Sequence, residues 1–244
     1  MSEPVLDAVG IVKFLGQGAG RVHALRGVDL SLRGGELVLL MGPSGSGKTT
    51  LLSILGCLMT PTEGMVRVRG RPTTGLDPEG LAGIRRDHIG FIFQSYHLFP
   101  TLSAEDNVRL ALDVRGERLQ RKAARDVLGM VGLAHKARAF PRELSGGEQQ
   151  RVAIARAIVG KPSAILADEP TGALDAENGK AIMTLLADIA KDQSRGVLVV
   201  THDPRILPFA SRIIRIEDGL IVGEEAGVGA APTPVAKARS VAGT

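Results

Sequence analysis

The sequence lacks tryptophan, and aromatic residues make up only 3% of its 244 positions. Its core must therefore be packed from aliphatic side chains. The single cysteine, Cys57, excludes an internal disulfide and fits a reducing compartment. No secretory signal is visible, and the longest uncharged apolar stretch, near Thr49–Thr62, is too short and too broken by Gly and Pro to cross a bilayer. We therefore expect a soluble chain, which can still dock on a membrane component.

A strong excess of either charge is also missing. Lys and Arg number 30 against 26 Asp and Glu, which leaves a formal net charge of +4. This mild excess is weak support for an anionic macromolecular partner, so no nucleic acid is expected. Hydrophobic residues at 44% and charged residues at 23% are ordinary for a globular protein. The length fits one large α/β domain or two small ones.

The most informative motif is Gly42–Thr49, which reads G-x-x-x-x-G-K-T and predicts a phosphate-binding loop. An apolar run typical of a buried parallel strand, Glu36–Met41, precedes it, and a predicted helix, Thr50–Leu58, follows. Glycines let backbone N–H groups surround phosphate oxygens, and the helix start adds a positive dipole end. This flanking context disfavours a mere Gly-rich turn before a lysine. The predicted nucleotide-binding residues here are Gly42, Pro43, Ser44, Gly45, Ser46, Gly47, Lys48, Thr49 and Thr50.

Strands and helices alternate through most of the chain, which predicts an α/β fold with a parallel-sheet core. Two N-terminal strands, Val5–Leu15 and Val22–Leu32, read as an antiparallel β portion joined by a glycine-rich turn. A helical insertion is predicted over about residues 95–160, with helices at Ala104–Val114, Leu119–Val131 and Gly146–Val159. We assign residues 1–223 to one domain and predict a disordered tail over 224–244.

Polar side chains follow three of the predicted apolar strands at their carboxyl ends: Gln94, the pair Asp168 and Glu169, and His202. Because parallel strands end at one edge of a sheet, these side chains are expected near the phosphate loop. Asp168 suits Mg²⁺, and Glu169 suits a general base that polarises a water. Gln94 can orient water or complete the metal shell, together with the Thr49 hydroxyl. His202 can hydrogen-bond a γ-phosphate.

Each of these signals also has a purely structural interpretation. A carboxylate pair after a strand often caps a helix or turn, and a lone His or Gln is more often a surface or core residue. Their coincidence with a phosphate loop favours the functional interpretation.

The segment Leu144–Arg151 combines two features at a predicted helix start. Ser145 and Glu148 are spaced as a capping box, which is a structural role. The capping box does not explain Gly146 and Gly147, because glycines are poor helix formers. Glycines at a helix start allow close approach of an anion. Since the chain's own triphosphate already has a loop, we expect this segment to contact a nucleotide held by a second copy.

Together these motifs resemble the ATPase subunit of an ATP-binding-cassette (ABC) transporter, over roughly residues 6–223. The run Leu166–Asp175, with Gly56–Leu58 and Arg85–Asp87, is most similar to the lipoprotein-releasing and macrolide-export group. The motifs that carry the family resemblance are Gly42–Thr49, Gln94, Leu144–Gln149, Asp168–Glu169, Ala173–Asp175 and His202.

The resemblance implies a P-loop NTPase (RecA-like) core that binds ATP and Mg²⁺ and hydrolyses ATP. Thr49, Gln94 and Asp168 would hold the metal, Glu169 would act as the base, and His202 would sense the γ-phosphate. Ser145, Gly146, Gly147 and Glu148 would contact the ATP of a second copy, with Asp175 at the boundary between copies. The partner would be an integral-membrane permease, expected as a separate polypeptide, and the chain would lie on the cytoplasmic side of the inner or plasma membrane.

Several alternatives stay open at the level of sequence. The family usually stacks an aromatic ring on adenine, and Phe14 is the candidate, although it could instead pack in the core. Tyr96 and Phe99 could anchor the permease or pack the helical insertion onto the core. The system could export, could release lipoproteins or lipids, or could import nutrients. A soluble ABC ATPase acting on ribosomes or DNA is a further alternative, although the chain has no tandem cassette or coiled-coil insertion.

Overall fold

The computed structural model describes residues 3–116 and 121–228. In chain order the strands are β1 (Leu6–Leu15), β2 (Val22–Leu32), β3 (Leu37–Met41), β4 (Glu63–Val68), β5 (Arg71–Pro72), β6 (Ile89–Ile92), β7 (Ala164–Asp168), β8 (Gly196–Thr201), β9 (Arg212–Glu217) and β10 (Leu220–Ala226). The α-helices are α1 (Lys48–Leu55), α2 (Pro78–His88), α3 (Ala104–Val114), α4 (Arg121–Met130), α5 (Gly146–Ile158) and α6 (Ala176–Ala190).

A six-stranded sheet forms the centre of the fold, in the order β10-β9-β3-β8-β7-β6. From β9 to β6 neighbouring strands run parallel, and β10 closes the edge in the antiparallel direction. Every residue of β3 and β8 is buried, as expected for apolar strands covered on both faces. The predicted parallel core is therefore confirmed, and β3, β7 and β8 end at the same edge.

The second sheet packs over the phosphate-loop helix and has the order β2-β1-β4-β5. Strand β1 pairs antiparallel with β2, from Leu6 opposite Leu32 to Leu15 opposite Val22, and with β4 on its other side. This is the predicted N-terminal antiparallel portion. It brings Ala24 of β2 next to the phosphate loop, because a side chain on Gly47 would meet the Ala24 carbonyl.

Helices α3, α4 and α5 lie between β6 and β7 in the chain and form the predicted helical insertion. They pack on one another and on the central sheet through fully buried aliphatic residues such as Val108, Leu128 and Val152. Burial of each such side chain stabilises the folded state by about 1.5–3 kcal/mol relative to leaving it exposed to water. Residues 119 and 120 of the predicted second helix lie outside the described residues.

The prediction that a disordered tail starts at Glu224 is wrong. Glu224, Glu225 and Ala226 are paired with Ile214, Ile213 and Arg212 as part of β10. Arg212 and Arg215 reach across this pair of strands to Glu224 and Glu225, at 2.9 and 2.6 Å. The composition from Glu224 onward, rich in Ala, Gly and Pro, predicts a tail because it contains no information about partners on a neighbouring strand. The rest of the predicted tail, residues 229–244, lies outside the described part of the chain.

Within residues 3–116 and 121–228, every helix is too short or too polar to cross a lipid bilayer.

Candidate functional site

The phosphate loop connects buried β3 to α1, as the sequence predicts. Gly45 and Gly47 have φ angles of +80° and +100°, which favour glycine. Gly47 is the N-cap of α1, and no side chain caps this helix start. Its first backbone N–H groups therefore face the loop without a side-chain acceptor, in the arrangement that binds anions at helix starts.

Close backbone packing explains two of the loop glycines. A Cβ atom on Gly42 would lie 2.0 Å from the carbonyl oxygen of Ile216 in β9, and one on Gly47 would lie 2.7 Å from that of Ala24 in β2. Both neighbours are backbone atoms that cannot rotate away. The two sheets thus meet at this loop and set its shape.

Lys48 is the first residue of α1 and is only 8% exposed. Its ammonium group donates to the carbonyl oxygens of Gly42 (2.9 Å) and Pro43 (2.7 Å). The charge is therefore held inside the loop rather than extended into solvent. Ser46 lies beside it, with a buried hydroxyl oxygen that has no hydrogen-bond partner among the described residues. Pro43, Ser44 and Gly45 form the exposed rim of the loop.

Asp168 and Thr49 meet across the edge of the sheet. The Thr49 hydroxyl lies 3.4 Å from Oδ1 of Asp168, although 119 residues separate them in the chain. Burial raises the pKa of Asp168; the Thr49 hydrogen bond opposes this shift, the neighbouring Glu169 adds to it, and Lys48 opposes it. A carboxylate in this environment gains stability from a cation, so the pair fits a divalent metal.

Glu169 and His202 form the second contact at this edge. Nδ1 of His202 lies 2.7 Å from Oε1 of Glu169, and their side chains are 73% and 15% exposed. Glu169 has a φ angle of +46°, rare for a residue with a side chain, while its backbone N–H donates to Val200 of β8. Residues in such conformations cluster at functional sites, where the surrounding structure holds them.

Gln94 reaches the same neighbourhood from the turn after β6. A Cβ atom on Gly172 would lie 2.9 Å from Nε2 of Gln94, so this amide packs against the loop that follows Glu169. Gln94 comes close to the loop after Glu169 because β6 pairs with β7, with Ile92 opposite Ala167. The structure therefore brings Thr49, Lys48, Gln94, Asp168, Glu169 and His202 to one edge of the sheet.

The start of α5 has the predicted capping box. Ser145 Oγ accepts from the backbone N–H of Glu148 (3.3 Å), and the Glu148 carboxylate accepts from the backbone N–H of Ser145 (2.8 Å). The latter contact is the largest cause of the lowered pKa of Glu148. Among the described residues, no hydrogen bond or ion pair joins this helix start to the phosphate loop of the same chain. Ser145 is exposed and open to another molecule.

The two glycines of this helix start also have neighbours within the chain. A Cβ atom on Gly146 would lie 2.9 Å from the Tyr96 hydroxyl, and one on Gly147 would lie 2.7 Å from Oδ1 of Asn178. Asn178 in turn donates to Asp175, the N-cap of α6, through both its backbone and its side-chain nitrogen, each at 2.8 Å. These hydrogen bonds lower the pKa of Asp175.

Sequence reasoning missed Asn178 as a partner of this segment and treated Tyr96 only as an anchor or packing residue. No spacing rule relates residues so far apart in the chain. In the structure Tyr96 is half-buried and packs on the start of α5, whereas Phe99 is 50% exposed.

Phe14 does not lie in the aliphatic core. Its half-buried ring stacks on His23, with ring centroids 4.2 Å apart, and the Arg21 guanidinium lies 3.8 Å from the ring centroid. Because His23 precedes Ala24, whose carbonyl packs on Gly47, this stack lies close to the phosphate loop in β1 and β2. Its position is compatible with contact to a base, and His23 and Arg21 are partners that the sequence did not single out.

Comparison with known proteins agrees with this geometry. A family model described as "ABC transporter" matches residues 25–172. The structure superposes with a TM-score of 0.82 on the ATP-binding cassette MJ0796, solved as a dimer in a post-hydrolysis state with ADP and Pi; the two are 43% identical, over 91% of this chain and 98% of that one. The chain belongs to the ABC transporter family. The predicted family and the P-loop NTPase fold are therefore confirmed.

Two curated relatives in the ABC family are named for export. The pyoverdine export ATP-binding/permease protein PvdT of Pseudomonas fluorescens (strain Pf0-1) is 48% identical over 93% of this chain, which is 35% of that protein. The macrolide export ATP-binding/permease protein MacB 1 of Aeromonas hydrophila subsp. hydrophila is 45% identical over 96% of this chain, which is 36% of that protein. The chain thus spans about a third of the length of the curated relatives it matches.

The ABC family match includes most of the site. The phosphate loop, Gln94, the Ser145–Glu148 segment, Asp168 and Glu169 all fall within residues 25–172. Phe14, Asp175 and His202 lie outside this range, so the structure, rather than the family match, relates them to the other residues.

Proposed function

We propose that this chain binds and hydrolyses ATP and that two copies, closed around two ATP molecules, drive an integral-membrane permease of an export system. The observation that supports the ATPase activity most strongly is the convergence of Lys48, Asp168 and the Glu169–His202 pair at one edge of the sheet. An export role is favoured over nutrient import or a soluble non-transport role because the similar curated relatives are named for export.

The phosphate loop would hold the triphosphate. The uncapped start of α1 offers backbone N–H groups from Gly47 to Thr50, and Lys48 exchanges its two carbonyl contacts for the β- and γ-phosphates. Ser46 supplies a buried hydroxyl without another partner. Adenine would contact the Phe14–His23 pair by displacing the Arg21 guanidinium, which covers the Phe14 ring at 3.8 Å from its centroid.

Mg²⁺ would be held by Asp168, Thr49 and Gln94. Their oxygen atoms are the ligand type that this ion prefers, and a bound cation would offset the burial that raises the pKa of Asp168. When bound, the metal neutralises phosphate charge that develops during cleavage. The position of Gln94 allows two roles: it can be a ligand of the metal, or it can accept a hydrogen bond that orients water.

Glu169 would accept the proton of the attacking water. It is largely shielded from solvent, and His202 holds one of its carboxylate oxygens at 2.7 Å. The second oxygen stays available for the water. His202 is mostly exposed, so its Nε2 is placed to reach a γ-phosphate at the open face of the site.

The start of α5, where Ser145 is exposed and Gly147 is buried, would complete the site of a second copy. Ser145, Gly146, Gly147 and Glu148 would contact the nucleotide of that copy, and the exposed Asp175 would lie at the boundary between copies. In a two-fold dimer each nucleotide is then contacted by both chains. The dimeric, nucleotide-bound state of the similar cassette MJ0796 supports this arrangement.

The permease would dock where the helical insertion meets the core. A cavity of about 400 Å³ lies there between α2, α3 and α5, with Phe99 and four arginines, Arg85, Arg86, Arg115 and Arg156, in its wall. Exposed aromatic and arginine side chains are frequent anchors at protein interfaces. The chain would therefore lie peripherally on the cytoplasmic side of the inner or plasma membrane.

Phosphate release by the purified chain tests this proposal. We expect slow hydrolysis with Mg-ATP, and a loss of at least about 100-fold in Lys48→Ala together with loss of tight nucleotide binding, because the phosphates lose their fixed charge. Lys180→Ala, which removes an exposed lysine of α6, serves as the matched control. Near-normal ATP binding by Lys48→Ala would refute the assignment of the loop.

A further inference from the structure

The turn after β6 contains two adjacent residues in a strained backbone conformation. Tyr96 and His97 have φ angles of +59° and +48°, a region that residues with side chains rarely adopt. The backbone N–H of Tyr96 donates to the carbonyl of Phe93 (3.2 Å), so Gln94 and Ser95 are the central residues of the turn. The direction of the Gln94 side chain therefore depends on how this turn is held.

A single side chain from α5 holds both strained residues. Arg156 Nη2 donates to the carbonyl of Tyr96 (2.8 Å), and its Nη1 donates to the carbonyl of His97. The rigid fork of a guanidinium matches two successive carbonyls, which an ammonium group cannot do with the same geometry.

Arg156 is also unusual in its environment. In the described part of the chain no ion pair joins it to a carboxylate, and burial lowers its pKa. A half-buried charge without a counter-ion is costly unless hydrogen bonds compensate for lost water. The contacts with the two carbonyls supply that compensation, so the turn and the guanidinium stabilise each other.

The same turn touches both parts of the nucleotide site. On one side Gln94 packs against Gly172, in the loop after Glu169. On the other side the Tyr96 hydroxyl packs against Gly146 at the start of α5. Its outer face, with Phe93, His97 and Arg156, lines the cavity of about 400 Å³.

We propose that Arg156 is a positioning residue that clamps the Phe93–His97 turn and thereby fixes Gln94 at the Asp168–Glu169 edge. This inference rests on the proposed ATPase function. Arg156 touches no reacting atom; it acts through the backbone of the turn. Nucleotide binding at the phosphate loop does not require it, whereas hydrolysis, which needs Gln94 in place, does.

Hydrolysis and nucleotide binding of Arg156→Ala are the test. We expect kcat to fall ten- to hundredfold, as for other small displacements of a positioned group, while the Kd for ATP without metal stays within about twofold. Arg109→Ala is the matched control, because Arg109 is a partly buried arginine of the helical insertion whose guanidinium contacts Asp106 of α3, at 2.8 Å, rather than the Phe93–His97 turn. It should leave kcat unchanged.

A second substitution separates clamping from general packing. His97→Gly removes the strain at one of the two positions, since glycine adopts this conformation freely. In the Arg156→Ala background it should recover a measurable part of the lost kcat, whereas lost packing would not be restored. Should Arg156→Ala fail to fold, Arg156→Lys, with and without His97→Gly, carries the same comparison.

The outcomes are distinguishable. An unmodified chain that does not hydrolyse ATP overturns the proposed function. An active chain in which Arg156→Ala behaves like Arg109→Ala, or in which His97→Gly restores nothing, overturns the clamp. Thermal unfolding of each variant identifies changes in kcat that merely follow stability.

Discussion

Helices α1 and α5 both begin at glycine-rich segments, yet the two helix starts are built differently. Gly45 and Gly47 before α1 have positive φ angles, and no side chain caps the helix. Gly146 and Gly147 open α5 in helical conformation behind a capping box formed by Ser145 and Glu148. Gly45 and Gly47 are needed for the backbone conformation of the phosphate loop, whereas Gly146 and Gly147 leave space for neighbouring side chains.

This difference relates to what each helix start can bind. At α1 the donors are left without a side-chain acceptor and Lys48 lies among them, so one chain by itself supplies the phosphate-binding part of the site. At α5 the capping box already satisfies two backbone donors, those of Ser145 and Glu148, and the nearby Lys136 pairs with the Glu148 carboxylate at 3.6 Å. A glycine-rich helix start therefore indicates anion binding only in the light of its cap and its neighbours.

The largest expected effect tests whether α5 serves a second copy. Glu169→Gln removes the base and should lower kcat by about 10²–10⁴, while the chain still binds ATP and remains dimeric with Mg-ATP. Adding Ser145→Arg should abolish the dimer and spare binding at α1. Light scattering after size exclusion measures both states. Thr184→Arg, at an exposed hydroxyl residue of α6, is the matched control.

If Glu169→Gln stays monomeric with ATP bound, the isolated chain does not form the composite site, and α5 has no partner nucleotide in solution.

Alanine substitution of one glycine at the start of α1 and one at the start of α5 tests whether the two pairs of glycines have different structural roles. Gly47→Ala should lower the free energy of unfolding by about 1–3 kcal/mol or more, because its φ angle disfavours a side chain and a Cβ meets a backbone carbonyl. Gly146→Ala should change it by less than about 1 kcal/mol, since alanine favours helix and the Tyr96 side chain can move. Urea unfolding measures both, and equal losses would remove the distinction.

Truncation of the edge strand β10, which pairs with β9, should have a smaller effect. Deleting residues 224–244 removes the last part of the β10–β9 pairing, from Glu224 to Ala226, and two ion pairs, and should cost about 1–2 kcal/mol of unfolding free energy. Deleting residues 229–244 removes no contact that the structure describes and should leave stability and hydrolysis nearly unchanged. Since Ile216 of β9 packs on Gly42, the longer deletion should also weaken ATP binding. Identical behaviour of the two truncations would argue against this link.

The smallest effect concerns the pH dependence of stability near α1. Because the pKa of Asp168 is raised in the folded chain, the folded state binds its proton more tightly than the unfolded state does. This stabilisation is present at low pH and is lost as the pH rises through the raised pKa. Asp168→Asn should therefore be more stable than the unmodified chain by a few tenths of a kcal/mol at pH 7, with the difference shrinking towards pH 4. A difference that grows on acidification would contradict the assignment.

Local pattern was enough to predict the strands and helices around the site. The apolar run before Gly42 and the apolar strands before Asp168 and His202 have the length and burial pattern of parallel strands. In such a sheet their ends meet at one edge, so the convergence of Asp168, Glu169 and His202 followed from order alone. The capping box of Ser145 and Glu148 is equally local, since both residues lie within one turn of helix.

Contacts between distant segments were decided only by the tertiary structure. The pairing of Glu224 and Glu225 with β9 depends on a neighbouring strand that supplies Arg212 and Arg215, so composition alone suggested a tail. The left-handed Tyr96 and His97 depend on Arg156, about 60 residues further along the chain. No local preference favours that conformation; packing of α5 against the turn supplies the hydrogen bonds that make it stable.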